Sequence, residues 1–367
     1  MTQKIKYSIT FIIIFLIGIL FERFDLDNEI VKTFKNLVNS TSKILYSFSN
    51  KEKIFIKIKP NNFQKIVKNR ESALKSGILK ESTQKWVPAK LELDNINHNV
   101  RIRLKGAFSD HWEDESKWSY KVSVNNDSKT IYDLKRFNLQ PPNTMSYLYE
   151  WLFMKALKKE KLINLKVIFI NVILNNSNEG VYILQEAITN RTLENNGKKI
   201  APIIGFNKDL YLAEFTNAKK LQKQGIIDSV NGLEDTFWRA KIEPVQFSLE
   251  EADQKQLSYL KKSIYLLESF RDGTLKPREV FDINQLSKVM ALRAILGSSE
   301  FDYRDIKFYF NPETSLLEPI SKESHVRLDL NFKERYFSWW IDSSKIRPHY
   351  TSNTNFFLDL LYKDIDF

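Results

Sequence analysis

The chain has 367 residues, 43% hydrophobic and 28% charged, which gives ample length for a packed core and argues against a disordered body. Its formal charge is +11 and it contains no cysteine, which excludes disulfides, thiolate metal sites and a cysteine nucleophile. The lysines are spread along the chain, so the charge reads either as an ordinary basic surface or as attraction for an acidic partner such as anionic lipid or a phosphorylated ligand. No recognisable nucleic-acid module accompanies it, and no nucleic-acid partner is expected. His98, His111, His325 and His349 lack zinc spacing.

Residues 7–21, YSITFIIIFLIGILF, carry no charge; Lys4 and Lys6 precede them, and Glu22 and Arg23 follow. As a helix this run spans about 22 Å, short of the ~30 Å hydrocarbon layer. It reads as a signal-peptide core or a short anchor. The following Phe21-Glu22-Arg23-Phe24 offers no small-residue cleavage site, which favours an uncleaved signal-anchor. The leading lysines place residues 1–6 in the cytoplasm and the body outside it.

Residues 22–85 read as a helical spacer. Phe63, Ile66, Val67 and Leu74 recur at helical spacing over 61–77 and Gly77 stands at the end. From Trp86 the pattern becomes strand-like: 90–94 and 100–104 alternate apolar and charged residues, and 120–124 continues the theme. A helix is expected over 146–159, then a strand at 166–174, a turn at 175–180 and a strand at 181–184. Beyond Ile203 helices dominate, over 250–272 and 282–296, with Asp282 a candidate N-cap. A hairpin pairs 307–310 with 316–320, and 355–367 looks like the start of a further helix. The order is α+β, a β-rich half (86–190) followed by an α-rich half (191–367).

Several stretches together resemble the CotH family, whose fold is an atypical, two-lobed protein kinase. They are Arg103-Leu-Lys-Gly106, Asp110-His111, Lys117-Trp-Ser-Tyr-Lys121, Phe137-Asn-Leu-Gln140 and Glu150-Trp151. With them go Gly180-Val-Tyr-Ile-Leu-Gln-Glu186, Asp302-Tyr-Arg-Asp305, Phe308-Tyr-Phe-Asn-Pro312 and Leu317-Glu-Pro-Ile320. The resemblance runs over about 86–323 and implies ATP and Mg²⁺ as cofactors. It also implies a β-rich N-lobe and an α-rich C-lobe behind the membrane helix. The chain stops soon after Trp339-Trp340, where the family continues with more helices, so this is either a short member or a fragment.

Phosphoryl transfer needs a cation on the phosphates, carboxylates around Mg²⁺ and a group orienting the acceptor. The cation would be Lys117, or else Lys121 or Lys105. Period-two alternation puts Lys117 and Lys121 on one strand face, for which a solvated basic face is the plain alternative. The resemblance implies that Glu186 pairs with the lysine and that Asp302 orients the acceptor. It places Asp305 where a metal-binding Asn is usual, and Glu323 where the family has a metal-binding Asp. The departures are Glu323 itself and Lys322, whose charge opposes a metal beside it. Two functions follow: an ATP- and Mg²⁺-dependent kinase of envelope or surface proteins, or a catalytically impaired pseudokinase serving as an envelope scaffold or adhesion protein. Lys322 and Glu323 favour the second.

Overall fold

A computed structural model describes residues 53–80, 84–230, 233–296, 298, 303–323 and 356–361. The first half is a closed barrel of seven strands. β1 (Lys53–Lys57) is followed by helix α1 (Pro60–Ser76), then β2 (Val87–Leu93), β3 (Ile96–Leu104), β4 (Tyr120–Val124) and β5 (Arg136–Gln140). Helix α2 (Tyr149–Lys159), β6 (Val167–Leu174) and β7 (Ser177–Glu186) complete it. The strand order is β1-β2-β3-β4-β5-β7-β6. Parallel pairing of β1 with β6, Ile54 opposite Val172, closes the ring and leaves no open edge.

Alternation decides which side chains fill the barrel. Val87, Ala89 and Leu91 on β2, Val100, Ile102 and Leu104 on β3, and Tyr120, Val122 and Val124 on β4 all join one buried apolar cluster. Each of the Val, Leu and Ile side chains among them contributes about 1.5–3 kcal/mol by burial. The β2–β3 turn places Asp94 and Asn95 at φ 50° and 62°, and the β6–β7 turn places Asn175 and Asn176 at 49° and 70°. These are the paired left-handed positions that suit the right-handed twist of a hairpin.

Helix α1 starts on a proline and ends at Gly77 (φ 77°), whose N–H bonds Ala73 O, close to the expected limits. β1, by contrast, lies inside the stretch read as a helical spacer and is an integral barrel strand. Its Lys-Ile-Phe-Ile-Lys alternation is too short to outweigh its helical surroundings in a sequence reading.

The second half contains α3 (Asn190–Asn195), β8 (Ile203–Phe206), α4 (Asp209–Lys223), α5 (Thr236–Arg239) and β9 (Ile242–Pro244). After them come α6 (Gln254–Arg271), α7 (Pro277–Val280), α8 (Ile283–Ile295), β10 (Lys307–Phe310), β11 (Leu317–Ile320) and α9 (Phe356–Leu361). The strands form an antiparallel sheet in the order β11-β10-β8-β9. An aromatic core holds it: Phe281 packs on Phe270, Phe308 and Phe357, and Phe206 on Phe237 and Tyr303.

The expected hairpin is present, with Lys307 opposite Ile320 and Phe310 opposite Leu317. Asp282 caps α8 by accepting the Gln285 N–H at 3.0 Å. Helix α6 begins later than expected because Asp253 and Gln256 form a reciprocal cap, which fixes the start more firmly than the acidic residues before it. The molecule is thus mixed α+β. The segment 7–21 expected as an anchor lies outside the described residues, and among those described no helix is long and apolar enough to cross a membrane.

Candidate functional site

The turn after β3 fixes the first functional side chain. Gly106 has φ 89°, and a Cβ built there would meet His111 Cδ2 at 1.9 Å, so only glycine fits. His111 is held by Ser119 Oγ at 2.9 Å from Nδ1. Lys105 N–H donates to Ser119 O at 2.9 Å, and Trp112 Nε1 donates to Gly106 O at 3.1 Å. The main chain at Lys105 is therefore locked, and its side chain is buried, 7% exposed. Its Nζ reaches Glu323 Oε1 at 3.6 Å.

The residues after β11 supply the opposing half. Arg293 of α8 donates to Ser321 Oγ at 2.9 Å and to Lys322 O at 2.6 Å. Glu323 takes a left-handed conformation, φ 58°, uncommon for a non-glycine residue and held only by its surroundings. Its N–H donates to Glu150 Oε1 at 3.1 Å, and Lys322 Nζ donates to its Oε1 at 2.5 Å.

Glu150, in the first turn of α2, is fully buried. It also accepts from Gln185 Nε2 at 2.7 Å, while Gln140 Nε2 donates to Gln185 Oε1 at 3.2 Å. This amide chain runs across the outer barrel face, where Arg103, Lys121, Asn138 and Gln185 stand opposite one another on β3, β4, β5 and β7.

Asp305 approaches from the segment before β10, with Lys208 Nζ 3.9 Å from its Oδ1. Lys307 donates to Phe206 O at 3.2 Å and Arg304 O at 3.3 Å. Its stem fills the space where a side chain at Gly205 would stand.

Charge ties these groups together. Burial lowers the Lys105 pKa to about 8; Glu323 opposes that shift, and Lys322, Lys121 and Lys208 add to it. Lys307 is lowered to about 8, again chiefly by burial, with Asp305 opposing. Burial and Glu323 push the Asp305 carboxyl up, but Lys208, Lys322 and Arg304 outweigh them and hold it below its usual value. Burial also pushes Glu323 up, and Lys322, Lys105 and Lys208 hold it well below.

The expected site residues divide. Lys105, Lys121, Asp305 and Glu323 share this electrostatic cluster. Lys117 is placed instead beside Tyr182, with Glu179 and Asp114 as its charge partners. It precedes β4, and its Nζ lies 5.1 Å from the Tyr182 ring centroid. The expected common face of Lys117 and Lys121 fails because the strand begins only at Tyr120.

Glu186 is likewise turned elsewhere. It accepts from Lys166 N–H at 2.9 Å, Thr192 Oγ1 at 2.9 Å and Asn195 Nδ2 at 3.4 Å. Burial raises its pKa despite these bonds. Its neighbour Gln185 faces the cluster instead. The expected lysine–Glu186 pair is replaced by Lys105–Glu323, with Glu150 behind it. Asp302 lies outside the described residues.

Glu150, Lys208 and Lys307 were not singled out as functional from the sequence. Glu150 had a signal, a lone carboxylate inside Tyr-Glu-Trp-Leu-Phe-Met, but a surface position explains such a residue equally well.

The donor set does not fit an Mg²⁺ ion as it stands. Mg²⁺ takes six oxygens at about 2.0–2.1 Å, yet Glu323 Oε1 is shared by Lys322 and Lys105, and Asp305 faces Lys208. Among the described residues no group of three metal-ligating side chains is assembled.

The fold and cluster define a mixed α+β domain with a lysine-rich, carboxylate-balanced site on the outer face of a barrel. The family model described as CotH kinase protein matches residues 102–332, more than half of the chain, and the chain belongs to that family. It is a kinase-related protein. No curated protein matches it.

Proposed function

We propose that this domain binds a nucleoside triphosphate, ATP in the first instance, with Lys105 as its phosphate-binding cation. The barrel would serve as the N-lobe and residues from 191 onward as the C-lobe of a kinase-like arrangement. One observation carries the reading: a buried ammonium on the barrel is aimed at a carboxylate from the other half, Lys105 to Glu323 at 3.6 Å. Isolated buried charges are costly, and such groups gather where ionic ligands are bound. Lys121 and Lys208 add positive charge around the same point.

Two activities suit such a site. In the first, which requires Lys322 and Lys208 to release Glu323 and Asp305 to Mg²⁺, the protein transfers phosphate from ATP to a hydroxyl of an envelope or surface protein, Asp302 orienting the acceptor. In the second, it binds nucleotide without transferring it and acts as an envelope scaffold or adhesion protein. Lys322 favours the second, because it occupies the carboxylate on which a metal would depend. Either way, residues 7–21 would anchor the body outside the cytoplasm.

Thermal unfolding of the chain with and without ATP tests binding, since a ligand specific to the folded state stabilises it by mass action. A phosphate-transfer assay on envelope protein then separates the two activities. The scaffold reading expects an ATP-dependent rise in Tm and no transfer. Absence of any ATP effect would remove both readings.

A further inference from the structure

We propose that Lys322 is a built-in replacement for the divalent cation, so that this chain binds the phosphates of a nucleotide without metal. The inference rests on the nucleotide reading above and deepens it.

Three observations support it. Lys322 Nζ lies 2.5 Å from Glu323 Oε1, at the carboxylate that would hold a metal, and the Asp305 charge acts on the same ammonium. The segment that carries it is held in place, because Arg293 donates to the Ser321 side-chain Oγ (2.9 Å) and to the Lys322 main-chain O (2.6 Å). Third, Lys105 approaches the same oxygen at 3.6 Å, so two ammonium groups flank one carboxylate.

A divalent ion entering here would lose its oxygen ligand to Lys322 or face that ammonium at contact distance. Like charges so placed repel strongly in a partly buried site. A polyphosphate gains instead, because the ammonium groups of Lys105, Lys121, Lys208 and Lys322 supply the positive charge that Mg²⁺ otherwise brings. Hydrogen bonds between charged groups and phosphate oxygens are the strong ones.

The test uses the purified chain and two probes. Calorimetric titration should show ATP bound more tightly in chelator than in excess Mg²⁺, by about threefold or more, because the metal competes with the ammonium groups for the phosphate oxygens. Manganese titration followed by electron paramagnetic resonance, without nucleotide, should show no bound ion at millimolar metal. In Lys322→Met, metal-free ATP affinity should fall about tenfold or more and Mn²⁺ binding should appear. Adding Glu323→Gln to that variant should abolish the metal again.

ATP binding by the unaltered chain only in Mg²⁺ would overturn the inference, as would Mn²⁺ bound by the unaltered chain and lost in Glu323→Gln. These arms decide it even where Lys322→Met fails to fold. Absence of ATP binding under every condition would instead overturn the nucleotide reading and metal-free nucleotide binding with it, while the manganese arm alone still reports whether Lys322 excludes metal.

Discussion

Lys105 and Glu323 meet at 3.6 Å although one leaves the barrel and the other follows the last strand of the second sheet. The pair joins the two halves of the molecule at a charged contact, as Lys288 and Glu160 do elsewhere at 3.6 Å. Among the described residues around the Lys105–Glu323 pair, Lys105, Lys121, Lys208, Lys307 and Lys322 outnumber the carboxylates Glu150, Asp305 and Glu323, so the group is more easily completed by an anion than by a cation.

The pH dependence follows from burial. Lys105 is lowered from 10.5 to about 8 in the folded protein, so the unfolded chain binds its proton more tightly. Between these values stability contributed by this group rises with pH, because burying a charged ammonium is costly and that cost disappears on deprotonation. Function runs the other way. ATP affinity should fall as pH rises through about 8, while the Tm of the free protein holds or increases. Titration calorimetry and thermal melts across that range give both curves. An affinity flat to high pH would mean that Lys105 does not touch phosphate.

Gly106→Ala should be strongly destabilising, by about 2–4 kcal/mol, since it combines a left-handed backbone with a clash. The clash is with His111, 1.9 Å from the added carbon. Denaturant unfolding measures it. Placing His111→Ala in the same chain removes the ring atoms but leaves the residue 111 Cβ 2.6 Å from the added carbon, so it should recover only part of the loss, the remainder being that contact and the backbone term. A cost unchanged by the second substitution would show that the His111 ring is not the obstacle.

Glu186 should prove structural. Glu186→Ala strands the Lys166 N–H and the Thr192 hydroxyl that it now accepts. This should cost about 1–3 kcal/mol, while the ATP affinity of the folded fraction stays unchanged. Glu186→Gln should restore most of the stability. A loss of ATP binding with stability intact would return Glu186 to the site.

Glu150→Ala is expected to do both. It leaves the Gln185 amide and the Glu323 N–H without their acceptor, so unfolding free energy should drop by about 1–3 kcal/mol. It also frees Glu323 from its φ of 58°, so ATP affinity should fall as well. Glu150→Gln retains an acceptor oxygen and should keep more of both. Equal losses in the two variants would point to the charge of Glu150 rather than its hydrogen bonds.

Local periodicity made much of the fold legible. The β2–β3 hairpin, α8 with its Asp282 cap and the β10–β11 hairpin are all near where the alternation and capping residues put them. Closure of the barrel was not legible, because the β1–β6 pairing joins Ile54 to Val172 across a long stretch of chain, and no short-range pattern encodes a parallel partner.

The site was readable only in part for a related reason. Lys105 and Glu323 carried motif signals. The choice between Lys105 and Lys117, and between Gln185 and Glu186, depends on where strands begin and which way one residue faces, and a shift of a single position reverses the answer. Lys208 and Lys307 become part of the cluster only through tertiary packing.

Phosphate binding by Lys105 is decided by calorimetric titration of ATP into the unaltered chain, Lys105→Met and Lys117→Met. The unaltered chain should give a binding isotherm, Lys105→Met should lose about tenfold or more in affinity and Lys117→Met should bind nearly as the unaltered chain does. Equal binding by the unaltered chain and Lys105→Met, or a selective loss in Lys117→Met, would contradict it.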